Sequence, residues 1–221
     1  MPKGQKEPSF KKRIGYHAGL LAGMALIVSA LLAIGNNQTK AEIELRLEED
    51  MRASLEMVMP NGLYDNDLLT DTASIISENG EEKLIYVARK DNYAVGVAYK
   101  MVEAGYAGPI QVMLGINQNG EVLGVRVISH IETPGLGDKI EIKKDDWILT
   151  FNGLSLTNTA LKKWAVKKDG GQFDQFSGAT ITPRAVVKAV TKGLQLFELK
   201  IKPKIMIQDT RDKTATDKII K

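Results

Sequence analysis

Near the N-terminus the apolar and polar positions fall into two stretches of opposite character. From Ile14 to Ile34 the sequence reads IGYHAGLLAGMALIVSALLAI, 21 residues without a formal charge. At about 1.5 Å per residue, a helix of that length crosses a hydrocarbon layer of roughly 30 Å. Lys40 to Met59 is different: Ile43, Leu45, Leu47, Met51, Leu55, Met57, Val58 and Met59 are spread among charges that favour helix, and Pro60-Asn61-Gly62 ends the run. This pattern predicts a helical stalk that docks on a domain C-terminal to it. The Asp-, Asn- and Thr-rich segment up to Gly80 reads as a loop or short helix.

The pattern then shortens to strand length. Leu84–Ala88 and Ala94–Tyr99 are β-rich runs, and Ile110–Ile116 and Val122–Ile128 flank Asn117-Gln118-Asn119-Gly120-Glu121. The Asn-Gly pair predicts a tight hairpin through positive φ angles. Gly115 and Gly124 lie inside these strands, where the missing Cβ permits close backbone approach. A last helix is predicted over Pro183–Leu199, with Thr182 as N-cap, Pro183 at the first helical position, and an apolar face of Val186, Val187, Val190, Leu194 and Phe197. The charged residues after Lys200 read as a loosely ordered tail. Strands followed by a helix, without βαβ alternation, give an α+β class.

Charge orients the apolar stretch. Lys3, Lys6, Lys11, Lys12 and Arg13 precede it against one acid, Glu7, and an acidic run from Glu42 to Asp50 follows. The positive-inside rule puts the N-terminus in the cytoplasm and exports the rest. Ala33 and Gly35 would also suit signal-peptide cleavage, although such apolar regions usually run to about 7–15 residues. A buried soluble helix is the third reading, and the basic flank opposes it. His17 sits at the edge of the span and is assigned no chemistry.

Composition removes several function classes. Lys and Arg number 30 against 27 Asp and Glu, a net charge of +3, and aromatics make up 6%. Neither a nucleic-acid footprint nor stacking platforms follow from these values. The absence of cysteine excludes disulfides, thiolate zinc, Cys-ligated iron–sulfur clusters and CxxCH haem attachment, and His17 and His130 are too few for a histidine-rich metal centre. Any redox chemistry therefore needs an organic cofactor.

Two segments stand apart from core and linker. Asp174-Gln175-Phe176-Ser177-Gly178-Ala179-Thr180-Ile181-Thr182 immediately precedes the capped helix. Its small residues let a ligand approach the backbone, and a helix start offers N–H groups suited to phosphate. It also reads as an ordinary helix start with small turn residues. His130-Ile131-Glu132-Thr133-Pro134-Gly135-Leu136-Gly137-Asp138-Lys139 is a stiff loop that can lay amides and Leu136 along a flat heterocycle, or serve as a plain surface turn. For His130 and Glu132 no third acid–base partner is visible, so each is expected to make a structural hydrogen bond. Ser177 is not in a GxSxG elbow, which argues against a hydrolase.

Asp174 to Thr180 resembles the flavinylation motif Asp-x-x-Ser/Thr-Gly-Ala-Thr of the FMN-binding domain family. Glu132 to Gly137 is similar to the second hallmark of that family, and Gly105-Tyr-Ala-Gly-Pro-Ile110 with the following hairpin is similar to its strand region. The anchor and length resemble the G subunits of Rnf (Rsx) electron-transport complexes. The resemblance implies FMN joined by a phosphoester to Thr180, attached by a flavin transferase with FAD as donor. Asp174 and Ser177 would position the acceptor, and Gly178 and Ala179 would clear the phosphate. Thr133, Gly135, Leu136 and Gly137 would line the flavin, and Thr182 would reach the phosphate.

It implies a chain organised as residues 1–13 in the cytoplasm, a transmembrane helix over 14–35 and a stalk over 36–60. An extracytoplasmic FMN-binding domain of antiparallel strands packed with helices would occupy 61–200, and a charged tail 201–221. The chain would be an electron relay at the bacterial inner membrane, partnered by the other membrane and redox subunits of a complex that couples ferredoxin–NAD electron transfer to Na⁺ or H⁺ movement. The C subunit of the Na⁺-translocating NADH:quinone reductase shares the anchor and both motifs. The compact length and Asp138-Lys139-Ile140 favour the G subunit. A structural subunit without flavin would have the same anchor, stalk and domain, but no need of Thr180 in this loop.

Overall fold

The structure, a computed structural model, describes residues 14–77 and 80–206. The expected cytoplasmic N-terminus, residues 1–13, and the tail from 207 onward lie outside the described residues. Two compact units are present, Met1–Asp50 and Met51–Lys221.

A single helix, α1 (Ile14–Glu56), takes in both the apolar stretch and most of the predicted stalk. No helix breaker stands between Gly35 and Glu56, so the boundary expected at residue 35 is a change of composition within one helix. Its part Ile14–Lys40 is long and apolar enough to cross a membrane.

The second unit is built on a five-stranded antiparallel meander, β1 (Thr72–Ile76), β2 (Glu82–Lys90), β3 (Tyr93–Ala104), β4 (Pro109–Asn117) and β5 (Val122–Ser129), paired in sequence order. The four predicted strands lie within β2 to β5. β1 corrects the loop or short helix expected before Gly80: Thr72, Ile75 and Ile76 suit a pleated surface, and they pair with Glu82 to Tyr86 at the sheet edge. Lys200 donates to the Ile76 carbonyl at 2.8 Å and Lys204 to the Ser74 carbonyl at 3.1 Å, which occupies acceptors of that edge.

The hairpins differ from expectation in an instructive way. Between β4 and β5 only Gly120 takes a positive φ (+89°), while Asn117 Oδ1 accepts from the N–H groups of Asn119 and Glu121. The Asx side chain thus folds the turn, and Asn119 keeps an ordinary φ. The tight turn with two positive φ angles lies instead between β2 and β3, at Asp91 (52°) and Asn92 (67°), residue types that tolerate the left-handed region.

Each sheet face has its own core. On one side Val97, Tyr99, Ile110, Val112, Leu114 and Val125 pack against α2 (Ile181–Leu196) and the segment from Asp138 to Phe176. That segment holds only short 3-10 turns, and aromatic packing orders it. Trp147 meets Phe151 and Phe176 edge-on, and Phe151 stacks on Phe173 with centroids 4.5 Å apart. On the other side Tyr86, Ala98 and Met113 pack against Leu55, Val58, Met59 and Leu68, so the end of α1 and the residues after it dock on the sheet. The buried positions of α2 include the predicted Val186, Val187, Val190 and Leu194, and the Tyr99 hydroxyl donates to the Gly193 carbonyl at 2.8 Å. The helix begins two residues before Pro183 and passes into a π-helical segment, Phe197–Met206. Ile201, Ile205 and Met206 are buried there, which corrects the expected start of a loose tail at 201: the apolar spacing of these residues carries the core six residues further.

An acidic clamp ties α2 to β3. The Glu103 carboxylate accepts from Lys188 at 2.8 Å and Lys192 at 2.6 Å. Burial opposes its charge, but the two ammonium donors outweigh burial and hold the carboxyl below its ordinary value of 4.5. A depressed folded-state pKa contributes stability that is complete above 4.5 and lost as pH falls through the folded-state value. Urea unfolding midpoints should therefore drop on acidification below 4.5 by less in Glu103→Gln than in the parent chain. Equal drops would show that the clamp contributes nothing.

Candidate functional site

The Asp174–Thr182 segment is held from behind by aromatics. The Trp147 indole N–H donates to the Asp174 carbonyl at 2.9 Å, and Phe176 is buried against the Trp147 ring. The chain then turns sharply. Ala179 N–H returns to the Phe176 carbonyl at 3.1 Å, and Gly178 takes φ +79°, a conformation that a side chain would strain. This turn leaves Ser177 and Gly178 exposed and delivers Thr180 to the start of α2.

Thr180 is the N-cap residue, but its backbone is helical (φ −67°, ψ −28°) and its hydroxyl makes no cap bond. The oxygen is therefore left for other chemistry, beside the N–H groups that a helix start leaves outside the ladder. Thr182, expected as N-cap and as a phosphate contact, is not the cap, because the helix starts at Ile181 with Thr180 as its N-cap residue. It is fully buried within the first turn, and its hydroxyl donates to the Glu132 carboxylate. The short Thr182 side chain points inward because a carboxylate there offers a stronger acceptor than the helix backbone.

Glu132 is the residue on which three sequence segments meet. It is buried. One carboxylate oxygen takes the Thr182 hydroxyl, and the other accepts the N–H groups of Tyr106 at 2.9 Å and Ala107 at 3.0 Å. Two glycines are required by this arrangement. A Cβ on Gly105 would strike the Glu132 carboxylate, and one on Gly137 would come within 3.0 Å of Glu132 Cβ and Thr182 Oγ1. The structural hydrogen bond expected for Glu132 is present threefold. Its N–H also donates to His130 Nδ1 at 3.1 Å, and His130 Nε2 lies 2.9 Å from Glu141 Oε1. With Nδ1 accepting, the ring proton belongs on Nε2, facing Glu141.

The Thr133–Gly137 loop is a compact turn in which the N–H groups of Leu136 and Gly137 both reach the Thr133 carbonyl. Thr133, Gly135 and Leu136 are exposed, and Gly137 is buried against Glu132. The loop meets the Thr180 turn directly: a Cβ on Gly178 would lie 3.5 Å from the Leu136 side chain. Leu136 and Ile181, each 45% exposed, supply apolar surface near Thr180. Thr133, Gly135, Leu136, Gly137, Gly178, Ala179, Thr180 and Thr182 thus belong to one neighbourhood. Asp174 and Ser177 line a different concavity with Lys139, Asp145, Trp147 and Gln175, and the Asp174 carboxylate is 2.6 Å from Lys167 Nζ.

The residues present fit a covalently held phosphate. The hydroxyl of half-buried Thr180 stands at a helix start, the side-chain-free Gly178 clears its approach, and an apolar side chain flanks it. Sequence reasoning missed the part played by Trp147 and by the Tyr106 and Ala107 amides, because hydrogen bonds to main chain across 25 or more residues leave no spacing signature.

The FMN-binding domain family model matches residues 105–195, a range that contains the Glu132 hub and the Thr180 turn. The G subunit of an ion-translocating oxidoreductase complex from Stutzerimonas stutzeri is 44% identical over 205 residues, 92% of this chain and 89% of that one. Its counterpart from Cereibacter sphaeroides is 47% identical over 182 residues, 82% and 83% of the two chains. Among solved structures, the C subunit of the Na(+)-translocating NADH-quinone reductase of Parabacteroides distasonis is 19% identical, with a TM-score of 0.41 over 62% of this chain and 67% of that one.

Proposed function

This chain belongs to the G-subunit family of ion-translocating oxidoreductase complexes, and we propose that it carries FMN as a phosphoester on Thr180 and relays electrons on the exported side of the membrane. Membership makes it one subunit of a redox assembly, with an FMN-binding domain. The observation that carries the rest is the Thr180 hydroxyl, which is not spent on capping and sits on a turn cleared by Gly178 beside Leu136.

Attachment by a flavin transferase with FAD as donor forms one bond, from Thr180 Oγ1 to the phosphorus of the flavin half. It breaks the pyrophosphate link, so AMP leaves and the hydroxyl proton passes to the transferase. The exposed Ser177 and Asp174 are within reach of that enzyme, while Gly178 and Ala179 leave the phosphorus accessible. The start of α2 favours the remaining phosphate charge. Thr133, Gly135, Leu136 and Gly137 bound the ring, with Leu136 and Ile181 against its apolar edge. Thr182 acts through Glu132, holding the helix start in place. FMN supplies the one- and two-electron chemistry, and the protein sets its exposure and surroundings. A tether suits a relay that must not lose its carrier. The basic residues before Ile14 keep the N-terminus in the cytoplasm and place the second unit outside the inner membrane.

The test is the intact mass and in-gel flavin fluorescence of the full chain co-expressed with a flavin transferase, beside Thr180→Val. The parent chain should gain FMN minus one water and fluoresce, and the variant should do neither while keeping its fold. A parent chain that stays unmodified beside a competent transferase would leave a structural subunit as the reading.

A further inference from the structure

A separate cavity of about 500 Å³ opens between β2, β3 and the last turns of α2. Met101, Leu196 and Leu199 give it an apolar lining, and Lys83, Lys192 and Gln195 bring polar nitrogen to it. Gln195 stands roughly 20 Å along α2 from Thr180 at 1.5 Å per residue, so this is not the Thr180 neighbourhood. A volume of this size, apolar with a few convergent polar groups, is what small-molecule sites share.

Lys83 is what the packing of the fold does not account for. Strand alternation sets it in one row with Ile85 and Val87, whose side chains lie in the core beneath α2. Its side chain is 17% exposed, enough to be reached from the cavity and too little to be well solvated. The one carboxylate within 4 Å among the described residues is that of Glu81, which at 3.9 Å is beyond hydrogen-bond reach and is itself 65% exposed. No described residue accepts a hydrogen bond from the Lys83 ammonium, and a largely buried cation with three unmet donors costs free energy until an acceptor arrives. Lys192 is different, because Glu103 already holds its ammonium at 2.6 Å. The Gln195 amide makes no hydrogen bond to a described residue, so it adds a second free donor to the same cavity.

One free cation, one free amide and an apolar wall define the chemistry of a ligand. A carboxylate matches a single ammonium in charge. A phosphate dianion would be only half neutralised there, and it has no apolar surface to set against Met101, Leu196 and Leu199. The volume has room for on the order of fifteen water-sized groups, so the carboxylate can carry a body of ring size. We propose that this cavity binds a small monocarboxylate with an apolar body, its carboxylate on the Lys83 ammonium and the Gln195 amide. The site is independent of flavin attachment and of the partner subunits.

The probes are hydrocinnamate, a phenyl ring on a short carboxylate, its uncharged counterpart hydrocinnamamide, and inorganic phosphate. The full chain is held in lipid nanodiscs with isotope-labelled methionine methyl groups, and the Met101 signal is identified by its loss in Met101→Leu. Hydrocinnamate should shift that signal saturably, because Met101 lines the cavity. The amide and phosphate should each bind at least about tenfold more weakly, the discrimination a hydrogen bond between opposite charges provides. Lys83→Met keeps an unbranched apolar stem without the charge. It should weaken hydrocinnamate binding by at least about tenfold and leave binding of the amide unchanged. No saturable shift with hydrocinnamate, equal affinity for the acid and the amide, or parental affinity in a folded Lys83→Met chain would each overturn the proposal. Should the methionine variant fail to fold, the comparison of acid, amide and phosphate on the parent chain decides.

Discussion

Glu132→Ala is expected to destabilise the second unit by about 2 kcal/mol and to disorder the proposed flavin-attachment site with it. The substitution strips partners from three donors at once, the Tyr106 and Ala107 N–H groups and the Thr182 hydroxyl. The buried Thr182 hydroxyl left unmet costs about 1–3 kcal/mol, while Tyr106 and Ala107 are exposed residues whose N–H groups water can reach at smaller cost. Glu132→Gln separates charge and shape from loss of the side chain. Its carbonyl oxygen can still take both N–H groups, and its amide can donate to Thr182 Oγ1, so a loss nearer 1 kcal/mol is expected. Urea unfolding followed by the fluorescence of Trp147 and Trp164 reads both variants, because each indole is buried in this unit. With a urea slope of about 1–3 kcal/mol/M, the alanine variant should lose on the order of 1 M or more in midpoint. The functional readout is the yield of flavinylated chain, which should fall in Glu132→Ala even at a temperature where the chain remains folded. An alanine variant with the parental midpoint and full flavin yield would remove Glu132 from the role assigned to it.

That residue also shows where sequence was legible and where it was not. The segments around residues 132 and 180 stood out by their small and turn residues, and the resemblance added the one around residue 105. The carboxylate that joins them physically could be read only as making some hydrogen bond, because two of its partners are main-chain amides, which have no sequence signature. Thr182 was misread for a related reason. A threonine before a proline looks like a cap, and only the buried acceptor across the loop turns it inward. Strands β2 to β5 and the apolar face of α2 were legible because period-2 and period-3.6 burial leave a direct trace in residue type. β1 was not, since an edge strand buried on one side tolerates Thr, Ser and Asp neighbours. The segment from Asp138 to Phe176 offered no period at all. Its order comes from Trp147, Phe151, Trp164 and Phe173 meeting from distant positions. Of the two parent complexes open from the motifs, the G-subunit assignment is carried by relatives at 44% and 47% identity.

Gly115→Ala should separate docking of the α1 end from the proposed flavin site, because the two lie on opposite faces of the same sheet. Gly115 pairs with Gly124 across β4 and β5, and the Val58 backbone crosses directly over the pair. A Cβ on Gly115 lands on the Val58 carbonyl oxygen, and one on Gly124 comes within 2.9 Å of Val58 Cα. The obstacle is main chain on both sides, so no rotamer change relieves it, and the segment carrying Val58 must lift. Lifting uncovers Leu55 and Met59, which are almost wholly buried, and overpacking of this kind costs about 1–3 kcal/mol or more. Gly135→Ala is the contrast. Its φ of +78° strains a side chain by about 1–2 kcal/mol, but nothing lies within 4 Å of the added Cβ, so no docking contact is disturbed. Trypsin distinguishes the two on the full chain. Cleavage after Arg52, whose guanidinium pairs with Asp67 at 3.2 Å, should accelerate in Gly115→Ala and stay at the parental rate in Gly135→Ala. Flavin yield should respond in the opposite order, since Gly135 borders the site and Gly115 does not. Parental cleavage in Gly115→Ala would show that the Val58 segment yields without cost. The absence of a Cβ at 115 would then need another reason than the close passage of the chain that joins α1 to the sheet.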